Sequence, residues 1–248
     1  MPIIELLWPA LVLVTLLVFI HVIFGLEIIK RGVIFTDLAI GQMAAVGLAI
    51  SIGFLDGEYQ LLLTFSFAIF GALLITYGTQ KLEHIEAFIG MLYALGASSI
   101  MLLLASSAQG TELFQKLSAA DILFTTSAEI VPSAILYIFV AGVMFVLYPK
   151  TSGILRELTF FGMLALVVTS SVQLAGVLVV FVLLVAPAFV ALSQTRFNPL
   201  LFAWAWGLLF SAVALIASYH FDLPTGYSII FFQSIAVVIF SLSVHKKM

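Results

Sequence analysis

The stretch AGVLVVFVLLVAPAFVAL, residues 175–192, contains no charged residue. About eighteen apolar residues in a row are enough for a membrane-spanning helix. Polar or Gly/Pro clusters separate eight further apolar runs. The predicted spans are residues 3–24, 33–54, 61–79, 87–106, 131–148, 158–174, 176–194, 199–218 and 226–244. The sequence therefore predicts an all-α, polytopic integral membrane bundle of about eight to nine spans, forming a single domain over residues 1–248.

Composition supports the same class of protein. The 248-residue chain is 64% hydrophobic and only 8% charged, and its mean hydropathy is +1.29. Soluble domains have about 25% charged residues, so this composition excludes a soluble enzyme, a nucleic-acid-binding protein and a disordered protein. The spans leave little room for an extramembrane domain, and any nucleotide hydrolysis is expected on another chain. The absence of Cys excludes disulfides and thiolate metal ligands.

The basic residues predict an orientation, because Lys and Arg collect on the cytoplasmic side of a membrane. With the N-terminus outside and an odd number of spans, only Lys116 of the nine basic residues falls on the outer side. The basic residues of the inner side are Lys30, Arg31, Lys81, Lys150, Arg156, Arg196, Lys246 and Lys247. We therefore expect an outer N-terminus and a cytoplasmic C-terminus.

Two regions leave the number of spans open. The polar segment 107–130 is predicted to pack against other helices at the outer face. The stretch 158–194 is interrupted only by a polar cluster at 170–173 and by Gly176. It predicts either two short helices or one span with a re-entrant piece. Pro187 predicts a broken helix, which is typical of a compact transporter-like bundle.

Asp37 is the most informative residue, since it follows a basic pair and precedes an apolar run. An ionisable group in that position is a candidate for binding a cation or a proton in a protein-lined cavity. The structural alternative is equally open: Asp37 caps a helix with Thr36 or pairs with Arg31. Gln42 and Met43 continue the same helix, and the carbonyl oxygen of Gln42 is a candidate lining for an ion path. A helix–helix hydrogen bond is the alternative for Gln42.

Other polar and small residues favour structural roles. Residues 81–86 include two carboxylates and an imidazole, but these do not share one helix face, and we interpret the segment as a solvated cytoplasmic turn. The isolated His21 is a weak metal signal. Small residues within the spans predict close helix packing. The glycines concerned are Gly41, Gly47, Gly90, Gly96 and Gly162.

Four segments, in this order, resemble the membrane subunits of the ABC importers for zinc, manganese and iron. They are GLEIIKRGVIFTDLAIGQMAAVG at 25–47, EAFIGMLYALGASSIMLLL at 86–104, ADIL at 120–123 and the Gly-led run at 175–192. The resemblance implies a divergent member with a type II ABC-importer-like fold. It also implies a second permease copy forming a homodimer around a central path, cytoplasmic ATPase subunits, and an extracytoplasmic metal-binding protein.

The candidate metal path departs from the family pattern. The family usually has an Asp and a His four residues apart on the second helix, as ligands along the path. Here Gly41 lies four residues after Asp37, and Gln42 follows it. The resemblance therefore implies Asp37 as metal ligand, with Gln42 and Met43 along the translocation path. Without the imidazole, the oxygen donors favour harder cations or a weaker passing site.

The cytoplasmic connection also departs from the family, which has a longer connection containing a coupling helix. Here the connection is only residues 149–157. Gly153, Arg156 and Glu157 are therefore the candidates for a minimal ATPase-coupling element. The alternative is that the ATPase contact is reduced or lost.

The sequence thus predicts the permease subunit of an ABC importer for divalent metal ions, zinc first and manganese or iron next, in the bacterial inner membrane. The metal is cargo, and no covalently bound cofactor is expected. The alternative is a divergent permease-like protein that has lost ATP coupling. Such a protein would act as a structural or regulatory component, or as a secondary carrier with Asp37 as its proton site. No convergent acid, base and nucleophile set favours an enzyme.

Overall fold

The computed structural model describes residues 3–105, 122 and 125–243. In these residues the chain forms nine α-helices and no strand, which confirms the all-α prediction. The helices are α1 (Ile3–Arg31), α2 (Thr36–Phe54), α3 (Gln60–Lys81), α4 (Ile85–Leu104), α5 (Ser127–Gly142), α6 (Gly153–Ala175), α7 (Val177–Leu192), α8 (Pro199–Phe221) and α9 (Thr225–Ser243). A π-helical turn (Val143–Leu147) and a 3-10 turn (Tyr148–Lys150) extend α5.

The helices confirm the predicted polytopic bundle. By length and composition, eight of them could cross a membrane, α5 doing so together with its extension to Lys150, while the sixteen-residue α7 is shorter. Each of the nine predicted spans corresponds to one helix. Most of the predicted outer segment 107–130 lies outside the described residues, as does the ADIL segment apart from Ile122.

The stretch 158–194 forms two helices that meet at Gly176. This residue has φ 86° and ψ 156°, a backbone conformation that essentially only glycine adopts, so α6 must end here. The expectation that Pro187 breaks the helix is wrong, because α7 continues through it to Leu192. The ring of Pro187 lies beside Gly207 of α8, which has no side chain. A Cβ on Gly207 would lie 3.2 Å from the Cγ of Pro187.

Helix α2 lies in the centre of the bundle. It contacts α3, α4, α6 and α7, and fourteen of its nineteen residues are buried. Helix α8 is more peripheral, since only six of its twenty-three residues are buried. Large exposed apolar side chains on α4, α5, α8 and α9 suit a surface in contact with lipid.

Close approach of the helices to one another depends on particular glycines. A Cβ on Gly47 of α2 would collide with the carbonyl oxygen of Leu63 in α3, and one on Gly96 of α4 would lie 2.7 Å from the Cβ of Gln42. Packing of this kind replaces the hydrophobic effect as the main attraction between helices in lipid. The prediction is wrong for Gly90 and Gly162, because a Cβ on either would meet nothing within 4 Å.

We expect Gly47→Ala to destabilise the protein by about 1–3 kcal/mol, since α2 and α3 must separate to admit the methyl group. Gly90→Ala is the matched control. It adds the same methyl group in open space and should be neutral or stabilising by up to about 1 kcal/mol through helix propensity. Thermal unfolding of both variants in the same detergent measures the difference. Equal loss of stability would contradict the close contact.

Candidate functional site

Asp37 is a buried carboxylate without a hydrogen-bond partner among the described residues. It is the second residue of α2, and its side chain is only 1% exposed. Neither carboxylate oxygen has a hydrogen-bond partner among the described residues. Buried polar groups are nearly always hydrogen-bonded, so this exception points to a function or to a missing ligand.

Neither structural role considered for Asp37 is present. The hydroxyl of Thr36 donates to the carbonyl oxygen of Val33 at 2.7 Å, and no side chain caps α2. Arg31 instead pairs with Glu157, at 2.6 Å between Nη1 and Oε2. Asp37 therefore keeps the candidate role of binding a cation or a proton. The positive end of the α2 dipole favours the charged carboxylate.

A short, well-bonded turn positions Asp37. Helix α1 ends at Arg31, and the next residue, Gly32, has a φ of 69°, which is typical of the residue after a helix. The N–H groups of Gly32 and Val33 donate to the carbonyls of Ile29 and Ile28, both at 3.2 Å, which is the Schellman motif. These two bonds fix the direction in which the chain leaves α1.

Glu86 of α4 holds the other end of this turn. Its Oε1 accepts a hydrogen bond from the backbone N–H of Phe35 at 3.3 Å, one residue before α2 begins. The sequence predicts a solvated turn for Glu86 and gives no sign of this contact, because nothing in a local pattern connects residues 51 positions apart. The neighbouring Leu82, Glu83 and His84 are exposed, as expected for such a turn.

Gln42 and Met43 lie on different faces of α2. The Cβ of Gln42 lies against Gly96 of α4, and the Cγ of Met43 would be 3.0 Å from a Cβ on Gly71 of α3. The Oε1 atom of Gln42 has no partner among the described residues, but it belongs to the face that packs on α4. The two side chains therefore do not converge on one point.

Asp37 lies on a third face of α2. Residues four apart share a helix face, so Asp37 lies on the side of Gly41. A Cβ on Gly41 would lie 3.4 Å from the Cγ2 atoms of Val172 in α6 and Val177 in α7. The face of Asp37 thus leads to the break between α6 and α7, while Gln42 and Met43 lie elsewhere on the helix.

The described part of the chain offers no ready-made metal cage. No group of three or more His, Asp or Glu residues there could hold a metal ion together. Both ring nitrogens of His21 are engaged, Nδ1 with the carbonyl oxygen of Leu17 at 2.8 Å and Nε2 with the hydroxyl of Ser171 at 3.1 Å. Asp37 would therefore act as a single carboxylate ligand, with the remaining coordination positions filled by other donors.

The three predicted coupling residues come together at a cleft of about 610 Å³. The cleft lies among the last residues of α1 and α3 and the first residues of α4 and α6. Polar or charged residues that line it are Arg31, Thr79, Gln80, Arg156 and Glu157, with Gly153 beside them. The connection contains only a 3-10 turn before α6 begins at Gly153, so in the described residues it has no separate coupling helix.

The predicted coupling residues differ in what they contact. The guanidinium of Arg156 lies over the ring of Tyr148, 4.8 Å from its centroid, and Gly153 has φ 56° at the start of α6. Glu157 faces inwards to Arg31. Gly153 and Arg156 therefore remain candidates for contact with a partner, while Glu157 has a partner inside the chain.

One protein-family model matches the C-terminal part of the chain. The model of the ABC 3 transport family matches residues 148–244. Residues 148–244 are therefore similar to the ABC 3 transport family. This match confirms the resemblance found in the sequence, and it includes α6, α7, α8 and most of α9.

Two curated relatives extend the comparison beyond these helices. A Haemophilus influenzae protein named "Probable iron transport system membrane protein" is 29% identical over 161 residues, 58% of this chain and 59% of that protein. The matched region is thus about three fifths of that relative's length. An uncharacterised membrane protein of Synechocystis is 28% identical over 87% of this chain and 82% of its own length.

Two solved structures have folds similar to that of this chain. PsaBC from Streptococcus pneumoniae, solved in complex with a Fab, has a TM-score of 0.75 at 18% identity, covering 98% of this chain and 93% of that chain. An inward-facing metal-chelate-type ABC transporter has a TM-score of 0.69 at 13% identity, with 96% and 86% coverage. At these identities the likeness establishes the ABC-permease fold.

We expect Asp37→Asn to leave thermal stability unchanged or to raise it by up to about 2 kcal/mol, because it removes a buried charge without breaking an observed bond. Glu157→Gln should instead destabilise by about 1 kcal/mol, because it weakens a charge-assisted hydrogen bond near the surface. Thermal unfolding of both variants in metal-free buffer checks the contrast. A clear loss of stability in Asp37→Asn would show that its carboxylate has a structural partner.

Proposed function

We propose that this chain is the permease subunit of an ABC importer for divalent metal ions. The observation that carries the proposal is Asp37, a carboxylate with no bonding partner in the described residues, inside the central helix of an ABC-permease fold. A buried ionisable residue in a membrane bundle is a functional candidate by default. The family match and the relative named for iron transport supply the class of cargo.

The proposed assembly has several chains. Two copies of the permease enclose the path, cytoplasmic ATPase subunits hydrolyse ATP, and an extracytoplasmic protein delivers the metal. This chain would lie in a bacterial inner membrane with its N-terminus outside. The cleft described above supports this orientation, because basic residues collect on the cytoplasmic side of a membrane. The basic residues near the helix ends that form the cleft are Lys30, Arg31, Lys150 and Arg156.

For the cargo, we propose Mn²⁺ ahead of Zn²⁺, the reverse of the order expected from the sequence. Carboxylate and carbonyl oxygens suit Mn²⁺, whereas imidazole is a preferred ligand of Zn²⁺. Asp37 offers oxygen donors only, and both nitrogens of His21 are already engaged. Fe²⁺ is the third candidate, in keeping with the name of the Haemophilus relative.

ATP coupling is proposed to act through the inner-face cleft. Gly153 and Arg156 lie at its rim, at the first turn of α6, where an ATPase subunit would meet the membrane chain. A push on this turn would move α6, and α6 contacts both α2 and α7. The energy of ATP binding would thereby change access to Asp37, as alternating access requires.

The short connection and the inward-facing Glu157 favour one alternative, a permease-like chain without ATP coupling. In its carrier form, Asp37 would bind a proton and exchange it for cargo. This alternative predicts uptake by the chain alone in liposomes with a proton gradient. The importer predicts uptake only with ATPase subunits and ATP.

The decisive experiment measures uptake of Mn²⁺, Fe²⁺ and Zn²⁺ by cells or proteoliposomes containing the whole complex, isolated through a tag on this chain. We expect Asp37→Asn to reduce metal uptake at least about tenfold, because it removes the charged ligand. The matched control is Asp222→Asn, at an exposed position with φ 51° that Asn also tolerates. It should transport like the unmodified chain.

The same preparation tests the class of transporter. Co-purification of an ATPase and metal-stimulated ATP hydrolysis would support the importer. Normal uptake by Asp37→Asn would remove this residue from the path. A chain that binds no ATPase in its native membrane and transports none of the three metals would overturn the proposal.

A further inference from the structure

A second group of charged residues lies at the C-terminal end of α1, just before the turn that Glu86 contacts. Arg31, the last residue of α1, donates from Nη1 to Glu157 and from Nη2 to the hydroxyl of Tyr148, both at 2.6 Å. The Tyr148 hydroxyl donates in turn to Glu27 at 3.2 Å. Glu27, Arg31, Tyr148 and Glu157 are called the Arg31 cluster below.

The Arg31 cluster is held in place from several directions. The guanidinium of Arg31 lies 4.3 Å from the centroid of the Phe160 ring, and the side chains of Arg31 and Glu157 are only 20% and 24% exposed. Arg31 is at the C-terminal end of α1 and Glu157 is near the N-terminal end of α6, so each charge also suits its helix dipole. The planar guanidinium makes several directed contacts at once, which lysine cannot reproduce.

The cluster joins the ATPase-facing connection to the Asp37 helix. Glu157 and Tyr148 belong to the connection and the first turns of α6, whereas Arg31 is only six residues before Asp37. The intervening turn is bonded at both ends, by the Schellman motif at Gly32 and by Glu86 at Phe35. A displacement of the first turn of α6 would therefore carry the start of α2 with it.

We propose that Arg31 is a positioning residue that transmits movement of the α6 N-terminus to Asp37 through the turn 32–36. The proposal rests on the proposed function for the meaning of that movement, but its physical link can be tested without transport. In this proposal, Glu157 acts on Arg31 within the permease. Contact with the ATPase is left to Gly153 and Arg156, which line the cleft. Asp37 would thus follow the ATPase without touching it.

The first test uses the full chain alone in lipid nanodiscs. Hydrogen–deuterium exchange of the amides in residues 32–37 should become about tenfold faster in Arg31→Met and in Glu157→Gln, because loss of a charge-assisted bond frees the turn to open. Lys150→Met is the control, since it removes an exposed positive charge from the same connection outside the cluster. Unchanged exchange in both cluster variants would overturn the link.

The double variant Arg31→Met with Glu157→Gln makes the test sharper. If Glu157 acts through its contact with Arg31, the double variant should exchange about tenfold faster, no faster than Arg31→Met alone. Two independent effects would multiply to about a hundredfold. The latter result would show that the residues act separately and would contradict the proposal.

The second test uses the whole complex with its ATPase. In both cluster variants, we expect Mn²⁺ taken up per ATP hydrolysed to fall about tenfold, while the amount of co-purified ATPase remains that of the unmodified complex. Loss of the ATPase would instead make the cluster part of the partner interface and overturn the positioning role. If the unmodified complex carries no metal, the proposed function fails, and the exchange measurements alone decide whether Arg31 holds the turn.

Discussion

Helix α2 can be surrounded by other helices because glycines remove side chains where it meets them. Gly47 lets the backbone of α3 approach, Gly71 makes room for Met43, and Gly96 makes room for Gln42. In lipid there is little hydrophobic attraction between helices, so such close contacts supply much of the association energy. The same enclosure removes Asp37 from water, and the site therefore depends on the packing around it.

This enclosure also determines what transport would require. Asp37 is 1% exposed, so an ion can reach it only if neighbouring helices separate on one side and then on the other. The face of Asp37 leads to the α6–α7 break at Gly176, where the helical backbone is interrupted. Discontinuous helices near the midplane are a recurrent feature of transporter binding sites. The break is therefore where we place the movement that would expose Asp37 in the proposed transport cycle.

The sequence predicted the spans well, because each apolar run is long and ends at polar or Gly/Pro residues. It also singled out Asp37, since charge is rare in such a chain. It could not predict what each candidate path residue contacts. Gln42 follows Asp37 by five positions, about 140° around the helix, so the two lie on different faces. Only the structure shows which neighbouring helix each face meets. The Arg31–Glu157 contact joins residues 126 positions apart and leaves no local pattern.

Glu157 and Asp37 are carboxylates in different surroundings. This difference suits Glu157 to a structural role and Asp37 to the proposed functional one. Glu157 has the charge of Arg31 at 2.6 Å and partial contact with water, so its ionised form is satisfied within the chain. Among the described residues Asp37 has no charged partner, its side chain is buried, and a buried carboxylate without a partner costs several kcal/mol. In the proposed function, that cost falls when a cation or a proton binds, so the folded bundle itself would provide affinity for positive charge at this point. An arginine of the chain beside Asp37 would remove that affinity. The lack of such a partner among the described residues therefore matters as much as the presence of the carboxylate.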